Sequence, residues 1–192
     1  MRDELDMEKI IAGCKKGNRA MQKQLFECYS NKMFGVCLTY SRDRTEAEDI
    51  LHDGFIKVFE NINSFKGTGS FEGWIRKIMI NTALEHFRKK KKLYVVNDYT
   101  VYEQAMISED FLSTIAAKEI MELVKELSQQ YRIVFLLYAV EGYSHREISR
   151  RLRISEGTSK SNLSRARAIL QQKIKVNYGE TAFKTKKISI SQ

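Results

Sequence analysis

A chain of 192 residues, 43% of them apolar, can bury one large core or two small ones. Its formal net charge of +9 favours polyanionic partners, nucleic acid before an acidic membrane surface. No apolar run approaches the ~18 residues of a membrane span. The acids in the opening MRDELDMEKII stand where a signal peptide needs a basic, then apolar start, so a cytoplasmic location is expected.

Proline is absent and β-branched residues never alternate over a long stretch, so the chain reads as all-α. Helices are expected near 6–16, 19–40, 45–62, 72–92, 112–127, 129–141, 145–152 and 156–175. They group into two small helical domains, 1–93 and 112–178. A flexible linker at 94–111, of no clean periodicity, joins them, and 179–192 reads as a frayed tail.

The helix TEAEDILHDGFIKVFENI, residues 45–62, has a capping-box pattern from Thr45 to Glu48. Helical phasing puts Ala47, Leu51, Phe55, Val58 and Ile62 toward a core. The opposite face carries Glu46, Asp49, Asp53 and Glu60 around Ile56. An acidic face with one apolar residue at its centre suits docking on basic helices. By pattern alone it is equally an ordinary solvated face.

The next stretch, INSFKGTGSFEGWIRKIMINTALEHFRKKKK, sets Phe65 and Phe71 on either side of a basic loop that two glycines keep flexible. Aromatics beside such a loop suit unstacked bases. They equally suit a core. In the following helix Trp74, Lys77, Asn81 and Arg88 share one face, while Ile80, Ala83, Leu84 and Phe87 share the other.

In the C-terminal block, Ser144 and Glu147 form a capping-box pattern, and Ser155 is an N-cap for the next helix. Arg153 and Ile154 lie in the very short turn between the two helices, the helix-turn-helix spacing. Ser159, Leu163, Ala166 and Leu170 phase inward. Thr158, Ser161, Ser164, Arg165 and Ala168 form a small, polar outer face that lets a helix sit deep in a major groove. Lys160 and Asn162 flank it. Arg146, Arg150 and Arg151 precede it, placed for phosphates. Between Ser144 and Lys175, nine Lys or Arg stand against two Glu. A solvated basic hairpin would share the charge. The two caps, the tight turn and the small-residue face favour DNA.

Cys14, Cys28 and Cys37 are too widely spaced for a metal knuckle and read as reduced thiols on helix faces. His52, His86 and His145 are scattered. No paired catalytic carboxylates, nucleophile elbow, phosphate loop or dinucleotide turn is found. No enzyme activity, metal or cofactor is expected.

The segment LSQQYRIVFLLYAVEGYSHREISRRLRISEGTSKSNLSRARAIL, Leu127 to Leu170, resembles the promoter −35 binding domain of bacterial sigma factors, the extracytoplasmic-function (ECF) group above all. It carries G-Y-S-x-x-E-I and I-S-E-G-T-x-K-S-x-L-S-R-A-R. Residues 45–62 resemble that group's core-binding helix, and F-x-G-x-x-S-F-x-x-W-I-x-x-I-x-x-N at 65–81 resembles its −10 region. The resemblance covers about residues 8–175.

It implies an alternative sigma factor whose partners are promoter DNA and core RNA polymerase, through the β′ clamp helices and the β subunit. It also implies an anti-sigma factor, often membrane-anchored, without direct membrane insertion of this chain. Polymerase contacts carry over to Asp49, Asp53, Ile56 and Glu60. A pocket for a flipped −10 base would use Asn63, Phe65, Lys66, Ser70 and Phe71. Lys77, Asn81, His86 and Arg88 would meet duplex or backbone, with phosphates held by the basic run 88–92. The −35 element would be met by Arg146, Arg150, Thr158, Lys160, Ser161, Asn162 and Arg165. Linker acids Asp98, Glu103, Glu109 and Asp110 would mimic nucleic acid inside the polymerase.

The sequence departs from the family at five positions. The family favours proline where Ser128 stands, and serine still caps a helix. It favours glycine where Arg153 stands, and a left-handed arginine costs on the order of 1 kcal/mol. It favours valine where Ser159 stands, forfeiting roughly 1–2 kcal/mol of apolar burial. A weakened C-terminal domain is expected. Glutamine is favoured at His52. A larger residue is often found at Gly54, where glycine marks close packing. Two other readings remain open: an autonomous helix-turn-helix regulator, and a helical adaptor for acidic proteins.

Overall fold

The computed structural model describes residues 2–93 and 117–178. The expected linker 94–111 with its four acids, the residues before 117 of the helix expected from 112, and the tail 179–192 lie outside the described residues. The chain divides into two compact units, Met1–Val95 and Val96–Gln192. Every regular element among the described residues is helical.

The first unit holds α1 (Arg2–Lys15), α2 (Arg19–Tyr40), α3 (Arg44–Asn61), a 3₁₀ turn (Ile62–Ser64) and α4 (Phe71–Leu93). Ala47, Leu51, Phe55, Val58 and Ile62 of the α3 segment are buried, as phased, against Ile80, Ala83, Leu84 and Phe87 of α4. Gly54 lies where α3 and α4 pack closely. A Cβ built there would lie 2.2 Å from Sδ of Met79, which is itself fully buried.

The N-cap of α3 differs from expectation. Asp43, not Thr45, accepts the Glu46 N–H at 2.9 Å and pairs with the Arg42 guanidinium at 3.0 Å. A carboxylate outcompetes a hydroxyl at the positive end of a helix. The backbone bond from Glu46, then Arg42, holds the Asp43 carboxyl below its usual range. Thr45 falls inside the first turn. Glu46 also leaves the acidic face, for it is 3% exposed. Its carboxylate accepts the Arg42 N–H at 2.7 Å and lies 3.0 Å from Lys90 Nζ on α4. Burial is tolerated because the charge is both hydrogen-bonded and paired.

Two more pairs follow along the same helices in antiparallel order. Asp53 meets His86 at 2.8 Å and Lys57 meets Glu85 at 2.6 Å. Lys90 is thus committed to α3 rather than open within the basic run.

Cys14 and Cys37 are buried, Cys28 is exposed, and all three are free thiols. Burial pushes the Cys37 thiol up to about 12, so it stays protonated.

The second unit holds α5 (Ala117–Lys125), α6 (Gln129–Ala139), α7 (His145–Leu152) and α8 (Glu156–Tyr178). Six consecutive residues of α6, Arg132 to Leu137, are buried, which makes α6 the centre of the unit. Ser128 stands at its N-cap, but its hydroxyl makes no capping bond; its carbonyl alone starts the helix, accepting the Arg132 N–H at 2.9 Å. The capping box at Ser144 and Glu147 forms in both directions. The turn between α7 and α8 runs through Arg153 in the left-handed region, φ 54° and ψ 50°. The N–H groups of Arg153 and Ile154 both reach the Ser149 carbonyl, closing α7.

Candidate nucleic-acid and protein interfaces

In the helix-turn-helix, Ser155 Oγ caps α8 by accepting the Thr158 N–H at 2.9 Å, and lies 2.8 Å from Thr158 Oγ1. Lys160 and Ser161 are exposed, and Ser161 donates to the Thr158 carbonyl at 3.1 Å. Arg165 is half-buried, its Nη1 donating to Tyr131 Oη at 3.4 Å. On α7, Arg146 and Arg150 are exposed, while the Arg151 guanidinium lies over the Tyr143 ring at 4.1 Å. Cations and short polar side chains of this kind are what a phosphate-lined groove accepts.

Asn162 does not belong to it. It is 2% exposed and its Nδ2 has no hydrogen-bond partner. The reason is helical geometry: residue 162 lies three after Ser159 and four before Ala166, inside the buried stripe.

Ser159 is fully buried, and His145 of α7 shares a hydrogen bond with it, Nδ1 to Oγ at 2.9 Å. The imidazole stacks on Tyr138, ring centroids 4.8 Å apart. Arg167 lies over the far partner, 5.5 Å from the Tyr138 centroid. Burial first, then Lys160 and Arg167, hold His145 below the usual histidine range. Sequence reading missed this residue's role, since its partner lies fourteen positions away on another helix.

On α3, Asp49, Ile56 and Glu60 are exposed, Ile56 at 55%. Asp53 is half-exposed and bonded to His86, whose side chain is only 18% exposed. The structure therefore joins a residue expected to face polymerase to one expected to face DNA.

Around the basic loop, Phe65, Phe71 and Trp74 form one aromatic cluster, with Phe71 stacked on Trp74 at 5.6 Å and edge-on to Tyr29 at 5.9 Å. Phe71 is 8% exposed, so it supports the cluster from beneath and does not line a surface pocket. Its ring faces α2 because it opens α4, which packs there. Asn63, Lys66 and Ser70 are exposed, and Phe65 is half-buried. Ser70 starts α4, its Oγ accepting the Gly73 N–H at 3.3 Å. Gly67 and Gly69 hold φ of 75° and 84°, a left-handed path that glycine adopts without steric cost. Lys15 of α1 donates to the Phe65 carbonyl at 2.9 Å.

Beside the cluster lies a hollow of about 370 Å³ that gathers Trp74, Lys77 and Asn81 with Asn61, Ser64 and the Lys57–Glu85 pair. An aromatic wall among amides and hydroxyls is what a flat heteroaromatic ring needs. Asn61 and Ser64 were not anticipated; the signal was their position in the turn that carries the chain from α3 toward the loop. Arg88 is half-buried and engaged in contacts of its own.

Comparison with known proteins places both units. The family described as Sigma-70 region 2 matches residues 25–93, and Sigma-70 region 4 matches residues 117–170. The ECF RNA polymerase sigma factor SigW of Bacillus subtilis (strain 168) is 28% identical over 189 residues, covering 90% of this chain and 98% of that one. The ECF RNA polymerase sigma-E factor of Haemophilus influenzae is 24% identical over 186 residues, covering 91% and 98%. Among solved structures, the sigma factor RpoE crystallised with the anti-sigma factor NepR from Bartonella quintana is 23% identical, with a TM-score of 0.45, covering 81% of this chain and 97% of that one.

Proposed function

Because this chain belongs to the sigma-70 family, and within it to the extracytoplasmic-function sigma factors, we propose a specific division of labour between its two units. The chain is an alternative sigma factor that directs promoter-specific transcription initiation. The first unit seats on core polymerase through Asp49, Asp53, Ile56 and Glu60. It melts the −10 element at Asn63, Phe65, Lys66 and Ser70, and takes the flipped base into the hollow beside Trp74, Lys77 and Asn81. The second unit places Arg146 and Arg150 on phosphates, and Thr158, Lys160, Ser161 and Arg165 on the −35 element.

The observation that carries this reading is the coexistence, in one chain, of a helix-turn-helix that exposes Arg146, Arg150, Lys160 and Ser161 and an acidic helix crowned by an exposed isoleucine. A DNA-binding regulator working alone needs the first and has no use for the second. The chain itself catalyses nothing in this scheme. It works in the cytoplasm, where polymerase is; no helix among the described residues is long and apolar enough to cross a membrane. An anti-sigma factor is its proposed regulator, on its membership of the ECF group.

The test is transcription from a library of random upstream sequences with purified core polymerase, beside a gel shift with promoter duplex. Initiation at a recurrent two-part sequence only when the chain is present supports the proposal. Tight duplex binding without polymerase, and no directed initiation with it, would replace it with an autonomous regulator.

A further inference from the structure

We propose that His86 is a positioning residue for polymerase docking and not a DNA contact. The inference rests on the reading that Asp53 faces polymerase. His86 Nε2 lies 2.8 Å from Asp53 Oδ2, and the imidazole is largely covered while the carboxylate is half exposed. The histidine thus turns Nε2, one of its two ring nitrogens, to α3, and its largely covered ring shows little surface to a duplex. A proton on Nε2 donates to Oδ2 and fixes the carboxylate's rotamer. A carboxylate held in advance loses less side-chain freedom when it meets a cationic partner. The flanking rungs, Glu46 with Lys90 and Lys57 with Glu85, pin α4 to α3 on either side and so keep the backbones of His86 and Asp53 at bonding distance.

The test compares H86A, H86Q and D53N in the full chain. The readouts are affinity for core polymerase by fluorescence anisotropy, and affinity of the preformed holoenzyme for forked promoter DNA. Glutamine carries an amide N–H near the place of Nε2, so it can restore the bond. H86A is expected to weaken core binding about fivefold, as befits one hydrogen bond between partly exposed groups. H86Q should recover to within about twofold, with DNA affinity unchanged in both. Equal losses in H86A and H86Q, or a loss confined to DNA affinity, would overturn the proposal. Normal core affinity in H86A beside a loss in D53N would overturn this inference alone. Normal core affinity in D53N would overturn the docking reading beneath it.

Discussion

His145 and Ser159 share a hydrogen bond of 2.9 Å between α7 and α8, inside the helix-turn-helix. It explains how a serine stands at a fully buried position where valine would otherwise pack. Removing the hydroxyl leaves Nδ1 without this partner in a half-buried site. Ser159→Ala should therefore cost about 1 kcal/mol of unfolding free energy. In a thermal denaturation cycle with His145→Ala, the double variant should lose less than the two singles summed. Additive losses would mean that the bond contributes nothing.

Stability should also depend on pH through His145. Burial and the nearby Lys160 and Arg167 depress its folded pKa, so the unfolded chain binds the proton more readily. This contribution is complete above the unfolded value of 6.5 and is lost as pH falls through that value toward the depressed folded one. Chemical denaturation at pH 7.5 and pH 5.5 should show a smaller difference in His145→Phe than in the wild type. An identical difference would assign the acid sensitivity to other groups.

Gly54→Ala raises helix propensity by about 1 kcal/mol, yet it should destabilise the first unit. The new methyl would stand 2.2 Å from Met79 Sδ in a fully buried site, and overpacking of this kind costs ~1–3 kcal/mol. Gly54→Ala with Met79→Ala should lose less than the two singles summed, since removing the thioether relieves the clash. A single variant as stable as the wild type would show that Met79 moves aside freely.

Arg153 holds a left-handed conformation that glycine adopts without steric cost. Arg153→Gly should stabilise the second unit by roughly 1 kcal/mol. The check is the denaturant midpoint at unchanged slope. A lower midpoint would mean that the arginine side chain contributes more than the turn strain removes.

Arg165→Ala should depress transcription from −35-dependent promoters while leaving core affinity intact. Loss of one arginine–guanine pair is worth ~1–3 kcal/mol at the contacted base. Equal transcription on promoters with and without that guanine, in wild type, would remove Arg165 from base readout.

Local pattern was enough for much of this molecule. The helices α2 to α4 and α6 to α8, the buried stripes of α3 and α8, and the caps at Ser144 and Ser155 were legible because hydrophobic period and capping chemistry act within a few residues. The left-handed turn at Arg153 was legible only through the family resemblance, which sets glycine there. The N-cap of α3 was misplaced by two residues because Thr45 and Asp43 both fit a capping pattern, and only the charge and the Arg42 partner choose between them. Glu46 was also misassigned, because its burial depends on the facing helix, and so was Asn162, although its spacing from Ser159 and Ala166 already put it in the buried stripe.

The sequence by itself determined that this chain is helical, basic and built in two blocks, and that its motifs are those of promoter recognition. Only the tertiary structure decided that Ser159 answers His145, that Phe71 lies beneath its aromatic cluster, and that Asp53 and His86 are one unit. Ser159 with His145, Phe71 with Tyr29 and Asp53 with His86 each span two helices, and the distance between helices is set by the packing of the whole core, which no short window of residues encodes.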